Sequence, residues 1–268
     1  MDILKRSLAP LSLEAWEEID SQAKKALKAH VSARSVVDFD GPHGWKKGCV
    51  NLGRIDFEQS GLIEGVDYGI RQVQSLMEVR VPFSLGLKDM DDISRGLRTP
   101  DIESLMVAAR KIAHFEDKVV YRGFEKGKIA GILPSSAHRT IQMAGIPESY
   151  QTVVGEGVLT LQKAGICGPY HLVLGPAAYQ ILMQSDEKGY PLRKRVEEIL
   201  GGGIFWSAAL KGGVILSGRK GDFILTVGQD FSIGYAGQEE ATVHLFITES
   251  FTFQVLEPKA AVVLSLEA

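Results

Sequence analysis

Thr99-Pro-Asp-Ile-Glu-Ser-Leu-Met-Val-Ala-Ala-Arg-Lys-Ile-Ala-His-Phe-Glu-Asp-Lys-Val-Val-Tyr-Arg-Gly123 reads as one long helix. Thr99 suits the N-cap, Pro100 the first helical position, and Asp101 the first turn. Apolar residues recur at Ile102, Leu105, Met106, Ala109, Ile112, Ala113, Val119 and Val120, and Gly123 ends the run. At 1.5 Å per residue the span is about 35 Å, longer than an average helix. Such a helix predicts the spine of a flat subunit.

Before this helix, residues 49–83 predict a long hairpin. CVNLGRIDFE runs out, Gln59-Ser60-Gly61 turns, and the chain returns through Arg80-Val81. The segment is too polar and glycine-punctuated for a core sheet, and a lone two-stranded ribbon is marginal in water. It therefore predicts contact with another subunit. Nearer the start, Ser12 caps a helix running to about residue 30, with Leu13, Trp16, Ile19, Ala23, Ala26 and Leu27 on its apolar face. A short strand at 35–40 ends in the turn Gly41-Pro42-His43-Gly44.

After the spine, residues 134–222 have an α/β texture. Helices at about 148–164, 176–185 and 191–200 alternate with strands at 170–175, 203–210 and 212–218. The remainder is β-rich, with strands at 222–230, 231–236, 241–255 and 260–266. No Pro/Ser-rich linker separates the parts, which predicts intercalated halves.

The chain has 268 residues and a net charge of −3, with 45% hydrophobic and 24% charged residues. These values exclude a disordered chain. They also argue against a dedicated nucleic-acid binder, which needs a basic surplus. Ten of the 29 glycines fall between positions 201 and 237, so they are local punctuation rather than low complexity. Cys49 and Cys167 form no metal-ligand spacing and predict two buried, free thiols in a reducing cytosol. The N-terminus lacks the apolar run of a signal peptide, and no stretch approaches a membrane span. A cytoplasmic protein is expected.

Catalytic motifs are missing. G-x-S-x-G, H-E-x-x-H and the P-loop do not occur. Gly155-Glu156-Gly157 has Thr160 where a dinucleotide fingerprint needs its third glycine. Ser135, Ser136 and His138 suggest a nucleophile and base, but no orienting acid accompanies them. Asp89, Asp91 and Asp92 fit helix capping better than a cation site. Glu116 and Asp117 point about 100° apart on the spine, so they do not pair as acid and base. The expectation is a protein that binds or builds, with no catalytic residues, no metal and no cofactor.

Six segments together carry a family likeness: Leu4-Lys-Arg-Ser-Leu-Ala-Pro-Leu11 with Trp16; Asp38-Phe-Asp-Gly-Pro-His-Gly-Trp45; Glu116-Asp-Lys-Val-Val-Tyr-Arg-Gly123; Pro191-Leu-Arg-Lys-Arg-Val-Glu-Glu198; Gly228-Gln-Asp-Phe-Ser-Ile-Gly-Tyr235; and Leu245-Phe-Ile-Thr-Glu-Ser-Phe-Thr-Phe-Gln-Val255. The chain resembles the encapsulins, nanocompartment shell proteins once grouped with linocin-type bacteriocins. The resemblance implies an α+β chain with the tailed-phage major capsid (Hong Kong 97-type) fold. Residues 1–48 would hold the N-terminal helix and the start of the peripheral domain, and 49–83 the extension loop. Residues 84–133 would be the peripheral domain with its spine, 134–222 the axial domain, and 223–268 the return to the peripheral domain.

It also implies a self-assembling icosahedral shell of about sixty copies or a multiple. The shell would enclose a cargo enzyme, ferritin-like (iron storage) or peroxidase, and admit small solutes. Cargo would bind by a short apolar C-terminal tail, with Leu27, Val31, Arg34, Asp38, Phe231 and Ile233 lining the groove. Leu27, Phe231 and Ile233 fit ordinary core equally well. The pore at the fivefold axis would be lined by Asp186, Glu187, Lys188, Gly189 and Tyr190, weakly selective for cations. Some family members hold flavin on an aromatic platform. The matching stretch here, Gly86-Leu-Lys-Asp-Met-Asp-Asp92, has no aromatic, so no flavin is expected. Nucleic-acid and membrane partners are not expected either. The alternatives are a phage major capsid protein, which often carries a cleaved N-terminal scaffold region, and a free-standing enzyme or bacteriocin.

Overall fold

The structure is a computed structural model and describes residues 3–58, 63, 65–187 and 190–266. The first half contains α1 (Leu13–His30), β1 (Asp38–Asp40), β2 (Cys49–Glu58), β3 (Tyr68–Ser75), β4 (Met77–Gly86), α2 (Leu87–Ser94), α3 (Glu103–Arg122) and α4 (Ile132–Ser135). There follow β5 (Ile141–Met143), α5 (Ser149–Lys163), β6 (Tyr170–Leu174), α6 (Pro176–Gln184), β7 (Asp186–Glu187), β8 (Tyr190–Pro191) and α7 (Leu192–Leu200). The chain ends in β9 (Ile204–Trp206), β10 (Gly213–Ser217), β11 (Phe223–Val227), β12 (Ser232–Glu239), β13 (Thr242–Val255) and β14 (Ala261–Leu266).

Ser12 caps α1 as expected, its hydroxyl accepting from the Ala15 N–H at 3.1 Å. The spine α3 starts later than the Thr99-Pro100 pair suggests. Ile102 is still non-helical, and Asp101 accepts the Glu103 N–H at 3.2 Å, taking the role expected of Thr99. The helix has 20 residues, about 30 Å. Gly123 stops it at φ 80°, and Gly131 packs so tightly behind that a Cβ there would collide with the Gly123 backbone.

The 14-residue β13 organises the first sheet. β4 runs antiparallel along one side of it, while β12 and β11 share the other, and β1 adds parallel to β11. α1 and α3 cover this sheet: Ala15, Trp16, Ile19, Ala23 and Ala26 meet Leu105, Ala109 and Ile112 above Phe83, Leu245 and Ile247. The second sheet has the order β5-β14-β10-β6-β9. Its core joins the end of α3 through Val119, Val120 and Tyr121, so the halves are intercalated as expected.

Three expectations need correction. The predicted hairpin is shorter: only β2 and β3 form the ribbon, and β4 leaves it to pair with β13. Met77, Val79, Val81, Phe83 and Leu85 alternate with polar residues, the pattern of a strand with one buried face. The turn at Gln59-Ser60-Gly61 lies outside the described residues. The last strand does not return to the first sheet, because β14 pairs with β10 and β5 in the second. Its run Ala261-Val262-Val263-Leu264 is apolar on both faces and suits a covered position. Cys49 and Cys167 are free, but exposed rather than buried.

The other chemical suspects are ordinary structure. Gly155-Glu156-Gly157 lies inside α5, with no phosphate-binding loop before it. The Ser136 hydroxyl donates to the Ala261 carbonyl, and His138 Nε2 meets the Lys259 carbonyl.

Candidate functional site

A groove of about 720 Å³ runs between α1 and the start of β12. α1 contributes Ala23, Lys24, Leu27, Lys28 and, at its end, Val31; the other wall holds Phe231, Ser232 and Ile233. These positions meet because residues 23, 27 and 31 lie one turn apart on a single helical face. Leu27, Val31 and Phe231 are half-buried, whereas Ile233 is only 4% exposed and its side chain belongs to the core below.

Arg34 closes one end of the groove. Its Nε lies 2.9 Å from Glu116 Oε2, Nη1 2.8 Å from Asp230 Oδ1, and Nη2 2.5 Å from Glu249 Oε1. Its guanidinium sits 4.3 Å from the Phe231 ring centroid, a cation–π contact that fixes that wall. Burial disfavours this charge, but Glu116, Glu249 and Asp230 outweigh it and raise the Arg34 pKa.

Glu116 and Glu249 are both fully buried. Burial, then the charge and hydrogen bond of Glu116, push the Glu249 carboxyl well above its ordinary pKa, against the pull of Arg34. Glu249 Oε2 has no hydrogen-bond partner among the described residues, so a proton there removes a stranded charge. Next along α3, Asp117 accepts from the N–H groups of Ser32 and Ala33 at 3.0 and 2.9 Å, and from the Ser32 and Ser207 hydroxyls. Burial nonetheless raises its pKa. The two neighbouring acids thus face different partners, and together they hold the turn that carries Arg34.

The structure therefore brings five predicted residues together: Leu27, Val31, Arg34, Phe231 and Ile233. Asp38 is the exception. It opens β1 beside Ile224, its carboxylate accepts the Gly221 N–H at 2.5 Å, and it lines a separate recess with His171 and Arg219. Pairing with β11 turns this residue away from the groove, so its assignment to the lining is corrected. Sequence reading missed Glu116, Asp230 and Glu249. Two acids inside an apolar helical stripe, and Glu249 inside an apolar strand, were the available signals, since buried carboxylates require partners.

At the groove's rim Arg6 pairs with Asp20 at 2.7 Å, and its guanidinium lies over Trp16. Lys24 and Lys28 are exposed there. Of the predicted pore residues, Asp186 and Glu187 form β7, and Tyr190 lies in β8, with Glu187 opposite Tyr190. This short hairpin joins α6 to α7. Lys188 and Gly189 lie outside the described residues.

The family model described as "Encapsulating protein for peroxidase" matches residues 1–252. A type 1 encapsulin shell protein of Rhodospirillum rubrum is 40% identical, covering 98% of this chain and 96% of its own. Another, from Brevibacterium linens, is 36% identical over 99% of this chain and all of its own. Among solved structures, the virus-like particle of Pyrococcus furiosus aligns at a TM-score of 0.66 and 20% identity, covering 94% of this chain and 100% of that one. The capsid of Myoviridae phage XM1 aligns at a TM-score of 0.54 and 8% identity, over 86% and 89% of the two chains. The fold is thus that of the tailed-phage capsid proteins, and the chain belongs to the encapsulin shell-protein family.

Proposed function

We propose that this chain is a structural subunit whose copies assemble into a closed icosahedral compartment in the cytoplasm, roughly sixty copies or a multiple. The observation that carries the reading is the β2–β3 ribbon. Phe57 is 70% exposed on one face and Ile70 63% exposed on the other. A two-stranded ribbon with apolar groups on both faces needs a covering surface. A neighbouring copy supplies it, and repeating that contact around symmetry axes leaves no open edge. Relatives named as shell proteins favour a structural role over an enzymatic one. No described helix is long and apolar enough to cross a membrane.

The α1–β12 groove would hold a short apolar C-terminal tail of the cargo against Leu27, Val31 and Phe231. The cargo would be an enzyme of the iron-storage or oxidative-stress type, and the family's description favours a peroxidase. The loop at 186–190 would form a solute pore, with Asp186 and Glu187 attracting cations.

Negative-stain microscopy and size-exclusion chromatography of the recombinant chain test assembly directly. Closed shells are expected; a species of about 29 kDa overturns the reading.

A further inference from the structure

The backbone beside the groove says how a tail would be held. Tyr235 donates its N–H to the Leu4 carbonyl at 2.8 Å, so it directs that N–H away from β13. On β13, Ser250 donates to the Gln229 carbonyl and accepts from the Gly228 N–H, both at 2.8 Å. Residues 250, 248 and 246 therefore turn their backbone groups toward the β11–β12 side, and Ile247 turns its groups toward β4. Ile233 sits opposite Ile247 in an unshifted register. The Tyr235–Leu4 bond and the β12–β13 register both put the Ile233 N–H and C=O on the outer edge of β12, facing the groove. No hydrogen bond fills them among the described residues. One pair further along, this edge already donates to a carbonyl of the chain itself, that of Leu4.

We propose that the groove takes its occupant as an added β-strand, an extended C-terminal tail that pairs with the Ile233 N–H and C=O beside the Tyr235–Leu4 bond. This rests on the groove reading above and adds the mode of recognition. Strand addition draws affinity from main-chain hydrogen bonds and selectivity from alternate side chains. Apolar residues at i and i+2 of the tail face the wall of Leu27, Val31 and Phe231, and the intervening residues face out. The rim adds a preference of charge. Arg6 pairs with Asp20, and Arg34 with Glu116, Asp230 and Glu249, which leaves Lys24 and Lys28 as exposed rim cations outside these pairs, one turn apart. The free α-carboxylate of the tail meets these two ammonium groups.

The test uses the assembled full-length protein and labelled seven-residue synthetic peptides, read by fluorescence anisotropy. One peptide alternates Ser and Leu; an isomer of equal composition spaces Leu at i, i+3 and i+4. The alternating peptide is expected to bind about tenfold tighter, and N-methylation to weaken it about tenfold at every second amide and little between. A C-terminal amide should weaken binding several-fold at low salt. A flat N-methyl scan, or preference for the helical spacing, overturns strand addition. Equal affinity of acid and amide removes the carboxylate contact. If neither peptide binds but cargo enclosure still depends on Phe231, strand addition falls and the groove reading stands. If Phe231→Ala also loads cargo normally, both fall.

Discussion

Replacing Arg34 by Met removes the cation bonded to Glu116, Glu249 and Asp230 while keeping most of the apolar stem. Glu116 and Glu249 then face each other in the core, and Glu249 Oε1 joins Oε2 as an acceptor without a donor. Breaking a buried ion pair from one side costs about 3–5 kcal/mol, because the partner's charge stays buried. The Arg6–Asp20 pair gives the contrast: both side chains are substantially exposed, and Arg6→Ala should cost at most about 1 kcal/mol.

The pH dependence has a definite sign. The folded-state pKa of Glu249 is raised, so its contribution is full below the ordinary carboxylate pKa and is lost as pH rises through the folded value. Asp117 acts in the same direction. Arg34→Met should therefore be most damaging at alkaline pH and progressively less damaging as pH falls and Glu249 takes up its proton. Glu249→Gln mimics the protonated acid and should stay within about 1 kcal/mol of the parent. Urea titration of the full-length chain at fixed concentration, followed by tryptophan fluorescence, reads all four proteins. A loss below about 1 kcal/mol for Arg34→Met, or one independent of pH, refutes the argument. A Glu249→Gln loss as large as that of Arg34→Met shows Glu249 to be ionised.

Phe231→Ser should leave shells intact but empty of cargo, as judged by gel and microscopy of co-expressed protein. Ile233→Asp, placing a charge at a buried position, should give insoluble protein instead. Phe57→Ser with Ile70→Ser should change subunit stability by less than about 0.5 kcal/mol. The same pair should shift assembly toward smaller oligomers on size exclusion, and intact shells would count against the ribbon's role. Asp186→Ala with Glu187→Ala should slow terbium entry into assembled shells without altering their size; unchanged entry rates would remove this loop from the solute path.

Local sequence was informative wherever one face of an element meets one core. The periodicity of α1, the termini of α5 to α7 and the long apolar run of β13 were legible because burial on a single face repeats at 3.6 or 2 residues. Boundaries set by distant partners were not. Residues 77–86 look like the return limb of a hairpin until β13 is present to pair with them, and 261–266 look like a peripheral strand until β10 claims them. The same holds for the groove. Leu27, Val31, Arg34, Phe231 and Ile233 were named from resemblance, and the packing gathers them. Asp38 was named with them, but β11 turns it elsewhere.

By itself the sequence determined the helical spine, a two-stranded ribbon that cannot bury itself, the intercalated halves and the encapsulin likeness, all of which follow from side chains read along one line. Only the tertiary structure decided that Glu116 and Glu249 share Arg34 at the end of that groove, across 82 and 215 positions of chain. It alone also turned the Ile233 backbone outward. The reason is physical: a buried charge is tolerable only where its partners converge, and a strand's open hydrogen bonds depend on its register. Both are properties of contacts between distant segments, which no local pattern encodes.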